Sequence, residues 1–433
     1  MTKNKKPLIL FFEIVLIGIL MACFIGTTFI QRIYFPSKDV IHIKACLPWL
    51  AVFALIVFSY MDCFAFGERR FHELLYSSWV SVVIVNILML TLPFFTVLFQ
   101  MDYLMIVLNI VLQLFFVFIW LLVSTKIYLK VNPPMNCIII QRNIKDKEIK
   151  NKIEKYSDKY RVSGVYHYKN ESIFDLMMIS DIVVFGDMPA KERDLFARFC
   201  IEHQKYVLLR PNMLDIAMAN SRIEQFEDLA LIKAKPFGLT IEQRFVKRIF
   251  DIAVSGIGLI FALPIMLIAG MLIFLTDGGS PFYTQKRITV GGREFNIYKL
   301  RTMKVNAESV TGPTLAVKDD DRITWIGKIL RSTRIDELPQ LINVFLGDMS
   351  IVGPRPERQF FIDKNCETVP EFKYRTSVKA GLTGFSHISG RYSTRPEEKI
   401  ITDLIYIQNY SFIWDIKIII ETVRVVFTKG KAE

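Results

Sequence analysis

Long apolar runs alternate with short polar joints over the first third of the chain, at about residues 8–30, 46–66, 74–100 and 104–129. Each can cross a hydrocarbon core as a helix, which takes roughly 20 residues, so four transmembrane helices are expected within residues 1–135. The first run is too long, and lacks the small-residue cleavage site, for a removable signal peptide. Lys3, Lys5, Lys6, Arg69, Arg70, Lys126 and Lys130 fall on one side of this bundle, against Arg32, Lys38 and Lys44 on the other. That excess favours both ends of the bundle in the cytoplasm. From about residue 136 to 236 the period shortens. The β-type runs Cys137–Ile140, Arg161–Tyr168, Asp181–Phe185 and Tyr206–Leu209 alternate with helical stretches such as Lys147–Tyr156 and Lys191–His203. This alternation predicts a parallel sheet in a doubly wound, Rossmann-like domain. After its first strand the chain reads Gln141-Arg142-Asn143-Ile144-Lys145 where a dinucleotide binder would carry glycines. The domain is therefore expected to be a scaffold or regulatory module.

A fifth apolar run, about Ile252–Leu275, has Pro264 near its middle, Lys247 and Arg248 before it, and Lys286 and Arg287 after it. Positive residues at both ends prefer the same side of a membrane, and a proline can bend a helix sharply. A re-entrant hairpin at 247–276, bent at Pro264, is therefore expected in place of a fifth span. Gly256-Ile257-Gly258 lies inside this run and lacks the third glycine of a nucleotide loop, so it is a weak signal. The whole of 237–433 reads as a mixed α/β domain. It ends in an amphipathic helix, Phe412–Phe427, with Asp415, Lys417, Glu421 and Arg424 interspersed among apolar positions.

With 52% hydrophobic residues over 433, the chain is too apolar for a soluble protein. Its net charge of +12 is spread out, with no arginine-rich arm, so nucleic acid is not an expected partner. Anionic lipid or a phosphate-rich substrate suits that charge better. The six cysteines form no Cys-x-x-Cys pair and the five histidines no His-Glu-x-x-His, which excludes the common zinc frameworks.

The densest polar cluster runs from Arg331 through Asp336-Glu337 to Gln340, followed by Gly347–Pro356. Adjacent carboxylates are usually solvated surface, but these have company. Pro354 and Pro356 flank Arg355 in a rigid turn, Arg331 lies five residues before Asp336, and Lys299 and Arg301 add two cations. Guanidinium forks match phosphate oxygens, and transfer of a phosphoryl group usually calls for Mg²⁺ held by carboxylates. Asp319-Asp320-Asp321 reads as a polar loop.

From about Lys247 to the C-terminus the chain resembles the bacterial sugar transferases, monotopic phosphoglycosyl transferases that act on polyprenol phosphate. The resemblance is carried by Lys247–Asp251, Pro281-Phe282-Tyr283, Gln285-Lys286-Arg287, Tyr298–Met303, Asp336–Leu341, Gly347–Pro356, Gly381–Gly384 and Ser389-Gly390-Arg391. The bundle and strand–helix domain before it resemble the family's large form, which commonly starts capsule, exopolysaccharide or O-antigen assembly. The resemblance implies a two-step covalent mechanism. Asp336 would be the nucleophile toward the sugar-proximal phosphate of a UDP-sugar, releasing UMP, and undecaprenyl (polyprenyl) phosphate would then take the phosphosugar. Glu337 would hold Mg²⁺, while Lys299, Arg301, Arg331, Pro354, Arg355, Pro356 and Asp403 would line the substrate and phosphate site. The protein is thus expected in the bacterial inner membrane, with its catalytic domain cytoplasmic and a homodimer compatible with the sequence. Val378-Lys379-Ala380 and Phe385-Ser386-His387 depart from the usual pattern, which leaves the sugar open. A nucleotide-sugar dehydratase or epimerase would need the missing glycine loop. A non-enzymatic assembly component would have no use for Asp336, Glu337 and Arg355.

Overall fold

In a computed structural model, the structure describes residues 5–34, 43–91, 103–219, 221–304, 320, 322–389 and 395–427. Asp319, Asp321, Gly390 and Arg391 of the sequence motifs lie outside these. The chain divides into two compact units, Met1–Arg210 and Pro211–Glu433.

The first unit opens with α1 (Lys5–Tyr34), α2 (Ile43–Tyr60), α3 (Phe71–Thr91) and α4 (Tyr103–Val131). Three of the four expected spans are long and apolar enough to cross a membrane, namely Lys6–Tyr34, Phe71–Leu90 and Tyr103–Val131. The second is shorter, Cys46–Tyr60, and the fourth span-capable helix is instead the fifth run, Ile241–Thr276. Polar side chains tie the bundle together from inside. Asn86 Nδ2 donates to Gln113 Oε1 at 2.7 Å, and Asn109 Nδ2 donates to Asn86 Oδ1 at 3.1 Å. In an apolar surrounding each such bond contributes about 0.6–2 kcal/mol to helix association.

The unit continues with β1 (Met135–Gln141), α5 (Glu148–Ile153), β2 (Tyr160–His167), α6 (Ile173–Ile179), β3 (Ile182–Phe185), α7 (Ala190–Glu202) and β4 (Tyr206–Leu209). The strands form one parallel sheet in the order β2-β1-β3-β4. Alternate residues of its central strands feed opposite faces, as a period of two requires. Ile138, Ile140, Val183 and Phe185 pack with Ile173 and Met177 of α6 and Phe196 and Cys200 of α7. Cys137, Ile139, Ile182 and Val184 pack with Ile149 and Ile153 of α5. A parallel sheet covered on both faces has buried strands, hence their nearly continuous apolar text.

The second unit begins at Pro211. Its α8 (Met213–Met218) packs on the C-terminal region, where Gln408 Nε2 donates to the Ala217 carbonyl at 3.1 Å. An antiparallel hairpin follows, β5 (Arg222–Phe226) and β6 (Leu229–Lys233). Next comes α9 (Ile241–Asp277). Thr240 and Gln243 close a reciprocal capping box at its start, and Gly278, at φ 67°, ends it.

The hairpin expected at 247–276 is, in the structure, this one continuous helix, with Pro264 inside it. Proline removes one backbone rung and clashes with the preceding turn, which can bend a helix without ending it. Both halves of α9 rest on the same unit. At one end Lys247 pairs with Asp415, and Asp251 Oδ1 accepts from Ser350 Oγ at 3.0 Å and from Ile351 N at 2.9 Å. At the other, Ala269 and Ile273 share a core with Leu300, Ile326 and Leu330. A Cβ on Gly258 would press on the Leu341 side chain, whereas one on Gly256 would make only ordinary contact with Phe345. The outer face, including Ile257, Ile260, Phe261, Leu267 and Ile268, is exposed and apolar. Lys247 and Arg248, expected as flanking charges, turn inward instead: Arg248 donates to the Val344 and Phe345 carbonyls, both at 2.8 Å.

The rest of the unit comprises β7 (Phe282–Ile288), β8 (Glu294–Leu300), α10 (Trp325–Ser332), a 3-10 turn at Ile335–Glu337, α11 (Gln340–Leu346), β9 (Ser350–Val352), α12 (Gln359–Thr368), a 3-10 segment at Pro370–Ser377, β10 (Gly381–Thr383), α13 (Phe385–Ser389), α14 (Pro396–Gln408) and α15 (Phe412–Phe427). β7 and β8 pair antiparallel, and β9 and β10 pair parallel. The amphipathic helix forms as expected, but Asp415 lies on its core side, fully buried. There it accepts from the Tyr406 hydroxyl at 2.8 Å as well as from Lys247.

Candidate active site

The end of α10 sets the geometry. Arg334 adopts φ 59°, a left-handed conformation that costs an L-residue about 1–2 kcal/mol. It turns the chain out of α10 into the short turn Ile335–Glu337, so two neighbouring carboxylates meet different surroundings. Asp336 is 7% exposed, and its buried Oδ1 has no hydrogen-bond partner among the described residues. Glu337 is ringed by cations: Lys299 Nζ lies 3.0 Å and Arg355 Nη2 3.4 Å from Oε1, and Arg334 Nη1 3.6 Å from Oε2.

The two carboxyls therefore titrate apart. Burial, then the neighbouring Glu337 anion, push Asp336 up to about 6 against the pull of Lys299, Arg331 and Arg334. Burial also opposes the charge on Glu337, but Lys299, Arg355 and Arg334 outweigh it and hold that carboxyl well below the usual range. The pair couples one firmly anionic group to one that ionises near neutrality, an arrangement typical of working sites.

Each cation is fixed by its element. Lys299 sits on β8, which Asn343 of α11 pins by donating to the Asn296 carbonyl at 2.8 Å and accepting from Tyr298 N at 2.9 Å. Arg331, in the last turn of α10, donates through Nε to Thr302 Oγ1 at 2.9 Å. Arg301 lays its guanidinium against Gly279, just past the end of α9. Arg355 stands between its two prolines: the Pro354 carbonyl accepts from Gly381 N at 2.9 Å, and the Pro356 carbonyl from Arg287 Nη1 at 3.3 Å. At Gly353 and Gly381 the two backbones approach so closely that a Cβ on either would overlap the other.

The structure thus gathers Lys299, Arg331 and Arg355 around Asp336 and Glu337, as expected. Asp403 has a different setting. It is 2% exposed on α14 and ion-paired to Arg375 at 3.0 Å. Sequence reading passed over Arg334, Arg375 and Asn343, and mentioned His387 only as a departure. His387 lies in the field of Arg355, Glu337, Arg334 and Arg375, and both its ring nitrogens are buried without a hydrogen-bond partner among the described residues. Burial, reinforced by Arg355, drives it down to about 3, so the ring is neutral. Sequence offered few signals for these residues, because a lone Arg, Asn or His is ordinary until its neighbours are known.

Residues 242–429, which hold all these groups, match the bacterial sugar transferase family. An exopolysaccharide production protein of Rhizobium leguminosarum bv. phaseoli is 38% identical over 194 residues, covering 43% of this chain and 97% of that protein. The chain belongs to the bacterial sugar transferase family. A putative undecaprenyl-phosphate N-acetylgalactosaminyl 1-phosphate transferase of Bacillus subtilis (strain 168) is 49% identical over 130 residues, 30% of this chain and 72% of that one. The UDP-N-acetylgalactosamine-undecaprenyl-phosphate N-acetylgalactosaminephosphotransferase of Aeromonas hydrophila is 38% identical over 187 residues. The match to it spans 42% of this chain and 44% of that enzyme, under half of its length. In this sugar transferase the matched stretch begins inside α9 and ends beyond α15, so it takes in the dyad, its cations and the apolar helix together.

Proposed function

We propose that this sugar transferase moves a sugar 1-phosphate from a UDP-sugar to undecaprenyl phosphate, giving undecaprenyl diphosphate sugar and UMP, the first membrane step of capsule, exopolysaccharide or O-antigen assembly. The observation that carries the reading is Asp336: a buried carboxylate with an unpartnered oxygen, beside a second carboxylate neutralised by Lys299, Arg355 and Arg334. An Asp336 oxygen attacks the sugar-proximal phosphorus, and the bond from that phosphorus to the UMP oxygen breaks, the electron pair leaving with UMP. An oxygen of undecaprenyl phosphate then attacks the same phosphorus and Asp336 departs as carboxylate. Lys299, Arg331 and Arg355 hold the phosphate oxygens in line, and at neutral pH Asp336 is largely ionised and ready to attack.

The donor set suits Mg²⁺. That ion takes one or two carboxylates together with substrate phosphates rather than an all-protein cage. The orphaned Asp336 oxygen next to Glu337 supplies such carboxylates, and no cluster of three or more acidic, His or Cys side chains competes among the described residues. Bound there, the metal would neutralise charge on the phosphoryl group. Helix α9 supports a one-sided arrangement, since its two ends hold the same unit while its outer face is apolar. We read it as re-entrant, bent at Pro264 and dipping into the inner membrane from the cytoplasmic side, where nucleotide sugars reside. The Rossmann-like unit would be a scaffold.

The test is to incubate the full-length protein with undecaprenyl phosphate, Mg²⁺ and a panel of UDP-sugars, and to measure UMP and any phosphosugar on Asp336 by mass spectrometry. At least one sugar should give both. UMP release by Asp336→Asn at near wild-type rate would overturn the nucleophile assignment.

A further inference from the structure

We infer that Arg375 is a positioning residue that aims Arg355 at the reacting phosphates, with Asp403 as its anchor. The inference rests on the proposed transfer reaction. Arg375 is 4% exposed, in the 3-10 segment Pro370–Ser377, and reaches three groups at once. Its Nη2 donates to the Arg355 carbonyl at 3.0 Å and lies 3.0 Å from Asp403 Oδ2, while Nη1 lies 3.5 Å from Glu357 Oε1. The hydrogen bond to the Arg355 carbonyl and the longer ion pair to Glu357 hold the same short loop on either side of Pro356, and the ion pair to Asp403 ties that hold to α14. The prolines stiffen the loop from within, because their fixed φ leaves few conformations. Arg375 decides where that stiff loop sits. The Arg355 side chain, projecting from it, ends 3.4 Å from Glu337.

The chemistry of arginine matters here. A guanidinium offers five donors in a rigid fork, so one side chain can bind a carbonyl and two carboxylates together, whereas an ammonium is a point charge on a flexible stem. Displacing a positioned group by about 1 Å can cost up to ~100-fold in rate. Asp403, expected at the substrate, is in the structure ion-paired to Arg375 at 3.0 Å.

The test is a double-mutant cycle in the full-length protein, with kcat/KM measured for whichever UDP-sugar releases UMP. Arg375→Lys keeps a cation opposite Asp403 but cannot span all three contacts. Alone it should lose about tenfold, and in an Arg355→Lys background no more than about twofold, since a residue acting through another has nothing further to lose. Equal losses in both backgrounds, or near wild-type activity of the single variant, would overturn the inference. If Arg375→Lys does not fold, Glu357→Gln removes one grip and replaces it in the cycle. A readout independent of turnover is modification of Arg355 by phenylglyoxal, followed by mass spectrometry. Freed of its clamp, Arg355 should react several-fold faster while Arg331 is unchanged, and equal Arg355 rates count against the clamp. A protein that releases no UMP from any UDP-sugar yet shows the accelerated Arg355 modification would sink the proposed function and leave the clamp standing.

Discussion

Removing the carboxylate of Asp336, the proposed nucleophile, should make the protein more stable. The folded-state value of Asp336, about 6, stands above its ordinary value of 3.8. That gap of about two units, at ~1.4 kcal/mol each, makes the ionised side chain cost the fold roughly 3 kcal/mol at pH 7. Because the folded pKa is the raised one, the folded state holds an extra proton between about pH 4 and pH 6. Stability therefore falls as pH rises through that window, and the penalty is complete above it. Asp336→Asn carries no charge and escapes the penalty, but its buried amide oxygen still lacks a partner, at a cost of about 1 kcal/mol or more. The net gain expected is about 1–2 kcal/mol at pH 7, or about 2–8 °C in Tm at ~2–4 °C per kcal/mol for a unit of this size. The ionisation penalty halves near pH 5 and is gone below pH 4, so the gain should shrink to about 0.5 kcal/mol or less near pH 5 and become a loss of about 1 kcal/mol below pH 4. Thermal unfolding of the full-length protein in detergent with a metal chelator measures it, following the transition of the Pro211–Glu433 unit. With Mg²⁺ present the gain should diminish, because a bound cation offsets the same charge. An Asp336→Asn protein no more stable than wild type at pH 7, or one whose advantage does not fall toward pH 5, would refute the reasoning.

Lys247→Met should leave the fully buried Asp415 without its cation. The expected cost is about 3–5 kcal/mol, largely recovered by adding Asp415→Leu, and chemical denaturation of wild type and the two variants checks both. For topology, single cysteines replacing Glu242, in the first turn of α9, and Lys286, beyond its end, should respond alike to an impermeant maleimide in a cysteine-free background. Both should be silent in intact cells and both labelled in inverted vesicles, whereas opposite labelling would mean that α9 crosses the membrane.

Much of this protein is written in local pattern. Apolar run length alone marks α1, α3 and α4, and short β-type runs flanked by polar helical text mark β1 to β4 within a residue or two. Both are properties of a residue and its near neighbours, so no partner element is needed to read them. The adjacent carboxylates and the proline-flanked Arg355 were legible for the same reason. What required tertiary structure was every case in which a residue's role depends on distant chain. Lys247 looks like a membrane-flanking charge until Asp415, 168 positions on, is seen to bury it. That Asp403 pairs with Arg375 could not be read from its own neighbours in the chain. Pro264 marks a lost backbone hydrogen bond in the sequence, but that the helix runs on through it to Asp277 is seen only in the structure. The different titration of Asp336 and Glu337 was beyond sequence altogether, since neighbours in the chain share a local environment and only the fold brings Lys299, Arg355 and Arg334 onto one carboxylate while burying the other.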